Sequence, residues 1–409
     1  MVKTMKRISL LIWIVMAMQP LSGPAQPGPG AETGPLVQAD SDFSFRLLKE
    51  LSNEAPSANV FVSPFSISSV LQMMALGARG QTRDELQRVL GTTGLAETDL
   101  NRQYQLLGQA ISSSQSNEVL VLANALWYRA GAQLLPEFER ANRDFYRATI
   151  GPLNFSDPSS ARLMNQWAAD NTHGKIPVII QPPIPGDTAM ILANAIYYKG
   201  TWQNPFDPKQ TKPRGFTMRV GGTKQVPMMQ QTRSFEYQET PAFQAVQLSY
   251  TGNHLQMEVL LPGTNSSLQE LVLSLSAQSW HNTILPGFKS NRGTLIIPRF
   301  GLRYGANLKQ PLNRLGLKEA LTPEADFSGM SSSRLFISQV RHQSFVDVNE
   351  QGTEAAAVTT GVMALASFRN QPPPFQMIVD RPFLFLISDR ATGCILFAGL
   401  VLEPGLAVE

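Results

Sequence analysis

The chain has 409 residues, of which 43% are hydrophobic and 16% are charged. This composition excludes an intrinsically disordered chain and supplies enough apolar material for a large core. The formal charge of +3 equals the three basic residues of residues 1–25, which contain no acidic residue, so the remainder is formally neutral. We therefore expect neither nucleic acid nor a membrane as a partner.

Residues 1–25 are organised like a secretory signal peptide. An apolar run over residues 8–18 is too short to span a bilayer. The small residues Gly23 and Ala25 predict cleavage after Ala25, and an uncleaved anchor is the alternative. The basic residues that precede the apolar run are Lys3, Lys6 and Arg7. The pattern predicts a secreted, extracellular protein.

The sequence after residue 25 predicts a linker followed by one domain. Residues 26–37 are rich in proline and glycine and are expected to form a disordered linker. A single domain is then expected over residues 38–405. Cys394 is the only cysteine and lies in an apolar run, which predicts a buried, inert thiol and no internal disulfide. Asn154 and Asn265 begin Asn-X-Ser sequons and are predicted glycosylation sites.

Helical patterns dominate the first half of the chain. A helix over residues 64–77 is predicted to follow Ser63 as its cap, and a helix over 82–90 to begin at a capping box formed by Thr82 and Glu85. Further helices are predicted over 42–51 and 160–174. Strands are predicted over 60–62, 119–128, 189–198, 226–230, 243–250, 255–261, 294–300, 335–348 and the C-terminus. Helices first and strands later favour a mixed α+β domain.

Residues 350–360 are small, nearly uncharged and free of proline. If they form a strand, one face carries only Thr353, Ala355, Ala357 and Thr359, and Gly352 supplies a hinge at the start. Such a segment can be an exposed loop in one state and a strand in a packed sheet in another, because its small side chains do not overpack the sheet. A flexible Ala/Thr linker is the alternative interpretation.

Several short segments of the sequence resemble segments of serpins. The segment over 350–357 resembles the hinge of the serpin reactive-centre loop, and the segment over 379–387 resembles the C-terminal signature of the family. Two further segments, residues 59–67 and 194–206, also resemble segments of the family. The C-terminal sequence is most similar to the plasminogen activator inhibitor and glia-derived nexin group.

The resemblance implies a serpin fold over nearly all of residues 40–405. That fold is α+β, with a large mixed β-sheet A, two further sheets, about nine helices and an exposed reactive-centre loop at about residues 350–375. The resemblance also implies that the protein is a suicide substrate. A target serine protease cleaves the loop and forms an acyl-enzyme, and the cut loop inserts into sheet A and traps the protease in a covalent complex.

Three groups of site residues follow from the resemblance by position. The hinge comprises Glu350, Gly352, Thr353, Glu354, Ala355, Ala356 and Ala357. The breach, an ion pair and its neighbour at the top of sheet A, comprises Glu350, Arg299 and Trp202. The shutter, a polar cluster beneath the opening of the sheet, comprises Ser63, Ser66, Asn194 and His342. The alternatives are an inconsequential surface pair at the breach and an ordinary buried histidine at His342.

The family register places the scissile residue sixteen positions after the hinge glutamate. Counting from Glu350 gives Ala366, with Ser367 on the leaving side. A small residue at this position suits an elastase-like protease with a small pocket.

Two other bonds remain open. The bond between Arg369 and Asn370 would suit a trypsin-like protease, and Leu365 would suit a chymotrypsin-like one. The spacing to the C-terminal signature is longer than the family's usual one, which an insertion containing residues 372–374 explains. Proline cannot join a central strand, so cleavage must precede Pro372.

No motif indicates an enzyme. The sequence has no Gly-X-Ser-X-Gly, no His-Glu-X-X-His and no phosphate-binding glycine loop, and its four histidines lack metal-ligand spacing, so neither a cofactor nor a metal is expected. The segment 97–116 carries only Arg102, whereas heparin-binding serpins have a basic stripe there. Arg140, Arg143 and Arg147 recur at helical spacing but favour a solvated face. We expect weak or no glycosaminoglycan binding.

The residues and the resemblance together predict a secreted, monomeric, inhibitory serpin. A non-inhibitory serpin that carries a ligand or acts as a chaperone is the main alternative. A hydrolase is a more distant one.

Overall fold

The structure is a computed structural model that describes residues 29–111, 118–252, 254–353 and 373–405. Several predictions lie outside these residues: the signal peptide, the hinge residues Glu354, Ala355, Ala356 and Ala357, and the candidate reactive bonds at Leu365, Ala366, Ser367, Arg369 and Asn370.

Ten α-helical segments occur in the described residues, interspersed with short 3₁₀ and π turns. They are α1 (Pro29–Glu54), α2 (Pro64–Gly77), α3 (Gly80–Leu90), α4 (Glu97–Ile111), α5 (Pro136–Tyr146), α6 (Pro158–Asn171), α7 (Leu268–Ser274), α8 (Ala277–Ser279), α9 (Leu285–Gly287) and α10 (Lys309–Arg314).

Fifteen strands accompany them. They are β1 (Val60–Val62), β2 (Glu118–Arg129), β3 (Thr149–Leu153), β4 (Met190–Thr201), β5 (Lys212–Thr217), β6 (Thr223–Glu239), β7 (Phe243–Ser249), β8 (Leu255–Pro262), β9 (Lys289–Pro298), β10 (Phe300–Asn307), β11 (Gln339–Asn349), β12 (Gly352–Thr353), β13 (Phe375–Ile378), β14 (Phe383–Asp389) and β15 (Ile395–Val401).

The strands form two sheets. The six-stranded sheet has the order β10-β11-β12-β4-β2-β3 and is called sheet A below. The other has the order β1-β15-β14-β8-β7-β6-β9-β13, with β5 also on β6. The long strand β6 pairs with β7 at one end and with β5 and β9 along its length. The two further sheets expected beside sheet A are thus continuous with one another, and the α+β fold is confirmed.

Helix α2 is the central helix of the core. All its residues are buried, and it packs against β15, β4 and β2, that is, against both sheets. Ser63 precedes it in an extended conformation, and its side chain accepts the Ser66 N–H. Pro64 occupies the first turn, where its missing N–H costs nothing. The predicted bounds 64–77 are confirmed because each boundary signal is local.

The predicted linker differs from the structure after residue 28. Helix α1 begins at Pro29, not at residue 42, and Leu36 and Val37 are buried. Pro35 has no N–H to donate within the helix, and the N–H of the next residue, Leu36, donates to the Gln103 side chain at 3.2 Å. This tertiary partner, together with burial of the apolar pair, orders a segment whose composition indicates disorder.

The predicted capping box at the start of α3 is wrong. Helix α3 begins two residues earlier, and Thr82 and Glu85 are buried. The Thr82 hydroxyl donates to Glu319 at 2.6 Å, and the Glu85 carboxylate accepts the N–H groups of Lys318 and Glu319, each at 2.7 Å. Both side chains therefore bind a distant segment, and neither forms the predicted capping box with the other.

Cys394 is buried, as predicted, and burial raises the pKa of its thiol well above the ordinary value. Asn154 and Asn265 are both exposed. Among the helices of the described residues, none has the length and apolarity needed to cross a membrane. The same residues contain no cluster of histidine, cysteine and acidic side chains suited to a metal ion.

Glu258 on β8 is a fully buried acid. Its Oε1 accepts hydrogen bonds from Gln256 Nε2 at 2.7 Å and from Ser388 Oγ at 2.8 Å. Burial raises its pKa to about 8, so the folded protein holds a neutral carboxylic acid at pH 7. The unfolded chain ionises near the ordinary value of 4.5. The contribution of Glu258 to the free energy of unfolding is therefore full below pH 4.5 and is lost as the pH rises towards 8.

We expect Glu258→Gln to remove this loss. The amide keeps the shape of the carboxylic acid but cannot ionise, whereas the wild type loses roughly 1.4 kcal/mol per pH unit over that window. The difference in pH dependence between the two proteins is measured by thermal unfolding between pH 5 and pH 8.5. The scan rate is held fixed, because a midpoint governed by kinetic stability depends on it. The exposed Glu324→Gln serves as the control. Parallel pH profiles for wild type and Glu258→Gln would contradict the assignment.

Candidate functional site

The centre of sheet A is a seam between two parallel strands, β4 and β11. Seven residue pairs close it, from Gln339 opposite Ile191 to Phe345 opposite Tyr197. Above the last pair the strands no longer pair with each other, and β12 lies between them. The seam is therefore closed over most of its length and occupied by an inserted strand at its top.

Strand β12 consists of the first two hinge residues. Gly352 lies opposite Thr201 and Asn349, and Thr353 lies opposite Gly200 and Val348. The strand is antiparallel to both neighbours. Because β4 and β11 are parallel to each other, a strand that continued in this direction could form ladder bonds with both.

Gly352 is required by its conformation and by its neighbours. Its φ is +153°, and a Cβ there would lie 2.0 Å from the Gly200 carbonyl oxygen. No side chain can occupy that space without moving backbone. The hinge glycine thus permits close approach of β12 to β4.

Thr353 fills an aromatic pocket. Its side chain is fully buried, and its hydroxyl lies 2.7 Å from the Tyr250 hydroxyl. The Tyr250 ring stacks on Trp202 with centroids 4.5 Å apart and meets Tyr198 edge-on at 5.0 Å. The predicted breach residue Trp202 therefore supports the pocket that holds the inserted hinge residue.

The structure also brings Glu350 and Arg299 together. Glu350 Oε2 lies 3.5 Å from Arg299 Nε, and the Arg299 side chain is 40% exposed, so this ion pair contributes little. The shorter contact is with Thr211, whose hydroxyl donates to Glu350 Oε1 at 2.7 Å. The Glu350 carbonyl also accepts the Phe206 N–H at 2.8 Å. Thr211 and Phe206 were not predicted, because no local pattern marks residues that meet across about 140 positions.

The four predicted shutter residues form one hydrogen-bonded chain. The Ser63 N–H donates to His342 Nε2 at 3.2 Å, so Nδ1 carries the ring proton and donates to Asn194 Oδ1 at 3.0 Å. Asn194 Nδ2 donates to Ser66 Oγ and, at 2.8 Å, to Asn124 Oδ1. Asn124 completes the cluster and was not predicted. These bonds tie α2 to β2, β4 and β11 at the centre of sheet A.

His342 is buried, and burial lowers its pKa from 6.5 to about 3. The ring is therefore neutral at any physiological pH, in keeping with the bonds that it makes. A depressed pKa means that the unfolded chain takes up a proton before the folded one does. The stability that His342 contributes is present above pH 6.5 and is lost as the pH falls towards 3.

We expect His342→Gln to weaken this acid sensitivity, since a glutamine can accept from Ser63 and donate to Asn194 without titrating. On going from pH 7.5 to pH 5, the midpoint of thermal unfolding of the wild type should fall relative to that of the variant. The exposed His254→Gln is the control and should retain the wild-type slope. An unchanged slope in His342→Gln would show that another group causes the acid sensitivity.

The far end of the undescribed segment 354–372 is also anchored. Strand β13 begins at Phe375, whose ring stacks on Tyr237 with centroids 3.7 Å apart. Gly293 lies beneath it, where a Cβ would come within 2.2 Å of the Phe375 ring. Residues 354–372 thus connect a strand of sheet A to a strand of the other sheet.

Helix α4 and helix α5 carry the residues considered for glycosaminoglycan binding. Arg102 lies on α4, with Glu97 and Asp99 in the first turn of the same helix. Arg140 and Arg143 lie on α5, and Arg143 pairs with Glu139 at 3.2 Å. Arg147 follows α5 in a left-handed conformation. The arrangement is a mixed-charge surface.

Comparisons with known proteins agree with these features. The family model described as "Serpin (serine protease inhibitor)" matches residues 38–404. Leukocyte elastase inhibitor of Bos taurus is 36% identical over 380 residues, which cover 90% of this chain and 99% of that protein. Glia-derived nexin of Rattus norvegicus is 32% identical over 385 residues, covering 90% and 94%.

Two solved structures are similar throughout. A crystal structure of human thyroxine-binding globulin complexed with its ligand has a TM-score of 0.83 at 27% identity, covering 91% of this chain and 99% of that one. Native protease nexin-1 with heparin has a TM-score of 0.82 at 28% identity, covering 91% and 100%.

Proposed function

The chain belongs to the serpin family of serine protease inhibitors, and from that premise we propose that it is a secreted suicide-substrate inhibitor. The observation that carries the proposal is strand β12: Gly352 and Thr353 already lie between β4 and β11, in the direction that a longer inserted strand would follow. Residues 355–360, which follow shortly after Thr353, are small, uncharged and free of proline.

The proposed reaction begins as ordinary proteolysis. The protease serine attacks a carbonyl within residues 354–372, the peptide bond breaks, and the N-terminal part of the loop remains joined to the serine as an ester. The C-terminal part stays fixed through Phe375, whereas the N-terminal part continues from β12. Cleavage therefore releases one side of the loop to move.

The N-terminal part of the cut loop then extends β12 between β4 and β11, from the top of the seam towards its other end. For this the seven pairs between β4 and β11 must separate, and each is replaced by ladder bonds from the new strand to both neighbours. Each new hydrogen bond contributes roughly 0.5–1.5 kcal/mol net, besides the apolar area that becomes buried. The protease, still esterified, is carried with the strand and cannot complete hydrolysis.

For the reactive bond we propose Ala366–Ser367, with Arg369–Asn370 as the alternative. Register from Glu350 supports Ala366. Relatives named leukocyte elastase inhibitor support a protease with a small pocket. The protein is proposed to act as a monomer that forms a covalent complex with its protease, with weak or no glycosaminoglycan binding.

Secretion and glycosylation belong to the same proposal. The N-terminal pattern supports export, and the exposed positions of Asn154 and Asn265 suit glycan attachment. Peptide mapping of the protein from a mammalian culture medium, with and without glycosidase, tests both.

A ligand carrier is the second candidate, because the chain is similar in structure to thyroxine-binding globulin. Cleavage within residues 354–372 separates the two functions. An inhibitory serpin inserts the cut loop, so the cleaved protein should unfold at a temperature well above that of the intact protein. An unchanged unfolding temperature after complete cleavage would overturn the proposed mechanism.

A further inference from the structure

The last closed pair of the seam is Phe345 opposite Tyr197. Both side chains are 4% exposed. Phe345 belongs to the smaller hydrophobic cluster together with Ile191 and Ala193 of β4, on the face of sheet A that α6 covers. A strand that enters from the top must separate this pair before any other.

A turn that follows α6 contacts both rings of the pair. His173 meets Tyr197 edge-on, with centroids 5.5 Å apart. Lys175 Nζ lies 5.4 Å from the centroid of the Phe345 ring. Arg303 of β10 lies 5.3 Å from the same centroid, and its guanidinium donates to the Lys175 carbonyl. The turn therefore spans the seam, and Arg303 ties it to the outer strand.

The turn is held in place by its own polar contacts. Thr172 is fully buried; its hydroxyl donates to the Ala168 carbonyl at 2.7 Å and accepts the Ile176 N–H at 3.0 Å. Asn165 of α6 accepts the N–H groups of Ile179 and Ile180 at 2.8 and 3.0 Å. The turn thus cannot follow either strand without disturbing α6.

His173 adopts a conformation that its type rarely takes. Its φ is +51°, followed by Gly174 with φ +78°. A non-glycine residue in the left-handed region persists only where its surroundings enforce it. Here the enforced conformation directs the chain so that His173 and Lys175 meet opposite strands of the seam.

We infer that residues 173–175, together with Arg303, form a clamp over the Tyr197–Phe345 pair that limits the rate at which sheet A opens. Inserting a strand moves β4 and β11 apart by one further strand spacing, about 4.8 Å. A single turn cannot keep its contacts with both rings across that increase. At least one of the ring contacts must break before the loop passes. These residues act as positioning residues for insertion and do not touch the protease.

The inference rests on the proposed function, and its test avoids the protease. A synthetic acetylated peptide with the sequence of residues 354–365 is incubated with the intact protein, and its uptake is followed as the rise in thermal unfolding midpoint. The variants are Arg303→Gln, Lys175→Gln and the double variant. Arg303→Lys keeps a cation over the ring. Lys309→Gln removes a cation that lies 6.0 Å over Phe336, which is not part of the seam, and is the matched control.

We expect the double variant to take up the peptide roughly tenfold faster than the wild type, corresponding to loss of contacts in the closed state. Arg303→Gln should give an intermediate acceleration, with Arg303→Lys and Lys309→Gln within twofold of wild type. Because Arg303 is exposed, Arg303→Gln keeps the test valid if the double variant fails to fold.

Equal or slower uptake in folded Arg303→Gln and Lys175→Gln would overturn the clamp and leave the inhibitory function standing. Uptake in the variants alone would support the clamp. Failure of every protein, wild type included, to take up the peptide would overturn both the clamp and the proposed function.

Discussion

Replacing Thr353 with arginine should convert the protein from an inhibitor into a substrate. Thr353 is fully buried between β4 and β11, and its hydroxyl faces Tyr250. The aromatic residues described around this hydroxyl, Tyr250, Trp202 and Tyr198, carry no negative charge. Burying the unpaired charge of a guanidinium among them is very unfavourable. The variant must therefore expel β12 and delay insertion, while the loop beyond it stays available for cleavage.

The expected result is a rise of roughly tenfold or more in the number of inhibitor molecules consumed per protease inactivated, since each 1.4 kcal/mol added to the insertion barrier is a factor of ten. Titration of a fixed amount of protease with each variant measures this ratio. Thr353→Ser keeps the hydroxyl and the small volume and is the control. If Thr353→Arg trapped protease as efficiently as the wild type, insertion of the loop between β4 and β11 would be refuted.

Replacing Ala366 with arginine should exchange the target class. A small-pocket elastase accepts alanine but not a long charged side chain at the cleaved position, so we expect its rate of inactivation to fall by roughly 100-fold or more. A trypsin-like protease should gain a comparable amount. Second-order rates of inactivation with both proteases, for wild type and Ala366→Arg, measure the change.

Arg369→Ala is the matched variant for the second bond. With Ala366 as the scissile residue, this variant should leave elastase inactivation close to that of the wild type. Loss of trypsin inactivation in Arg369→Ala, with no change in Ala366→Arg, would assign the reactive bond to Arg369 and Asn370 instead.

Features of the fold that depend on local signals were predictable from the sequence. Helix α2 is the clearest case, because a capping serine, a proline in the first turn and a continuous apolar run fix both of its ends. The long buried strands β2 and β4 were found from apolar runs in the same way. In each case the deciding residues lie within a few positions of one another.

Predictions failed where a distant partner decides the structure. Thr82 and Glu85 have the spacing of a capping box, yet residues 318–326 take both side chains as partners. The composition of residues 29–37 indicates disorder, yet burial of Leu36 and Val37 orders them. No pattern in a single sequence reports such partners.

The candidate site shows the same division. Its residues were located only through resemblance to a family, and the structure brings together Glu350 with Arg299 and Asn194 with His342. Thr211, Phe206 and Asn124 were missed, since they join the site through single hydrogen bonds to residues far away in sequence. The clamp residues carry no motif, and only their position over the seam distinguishes them.

Covalent trapping of a protease is the most direct test of the proposed inhibitory function. The protein beginning at residue 26 is mixed with a small-pocket elastase and, separately, with a trypsin-like protease, and each mixture is analysed by denaturing gel and mass spectrometry. We expect a stable complex with the mass of protease plus the N-terminal fragment, and a released peptide that begins at Ser367. A peptide that begins at Asn370 would support the alternative bond. Complete cleavage with both proteases free and active would contradict the inhibitory function.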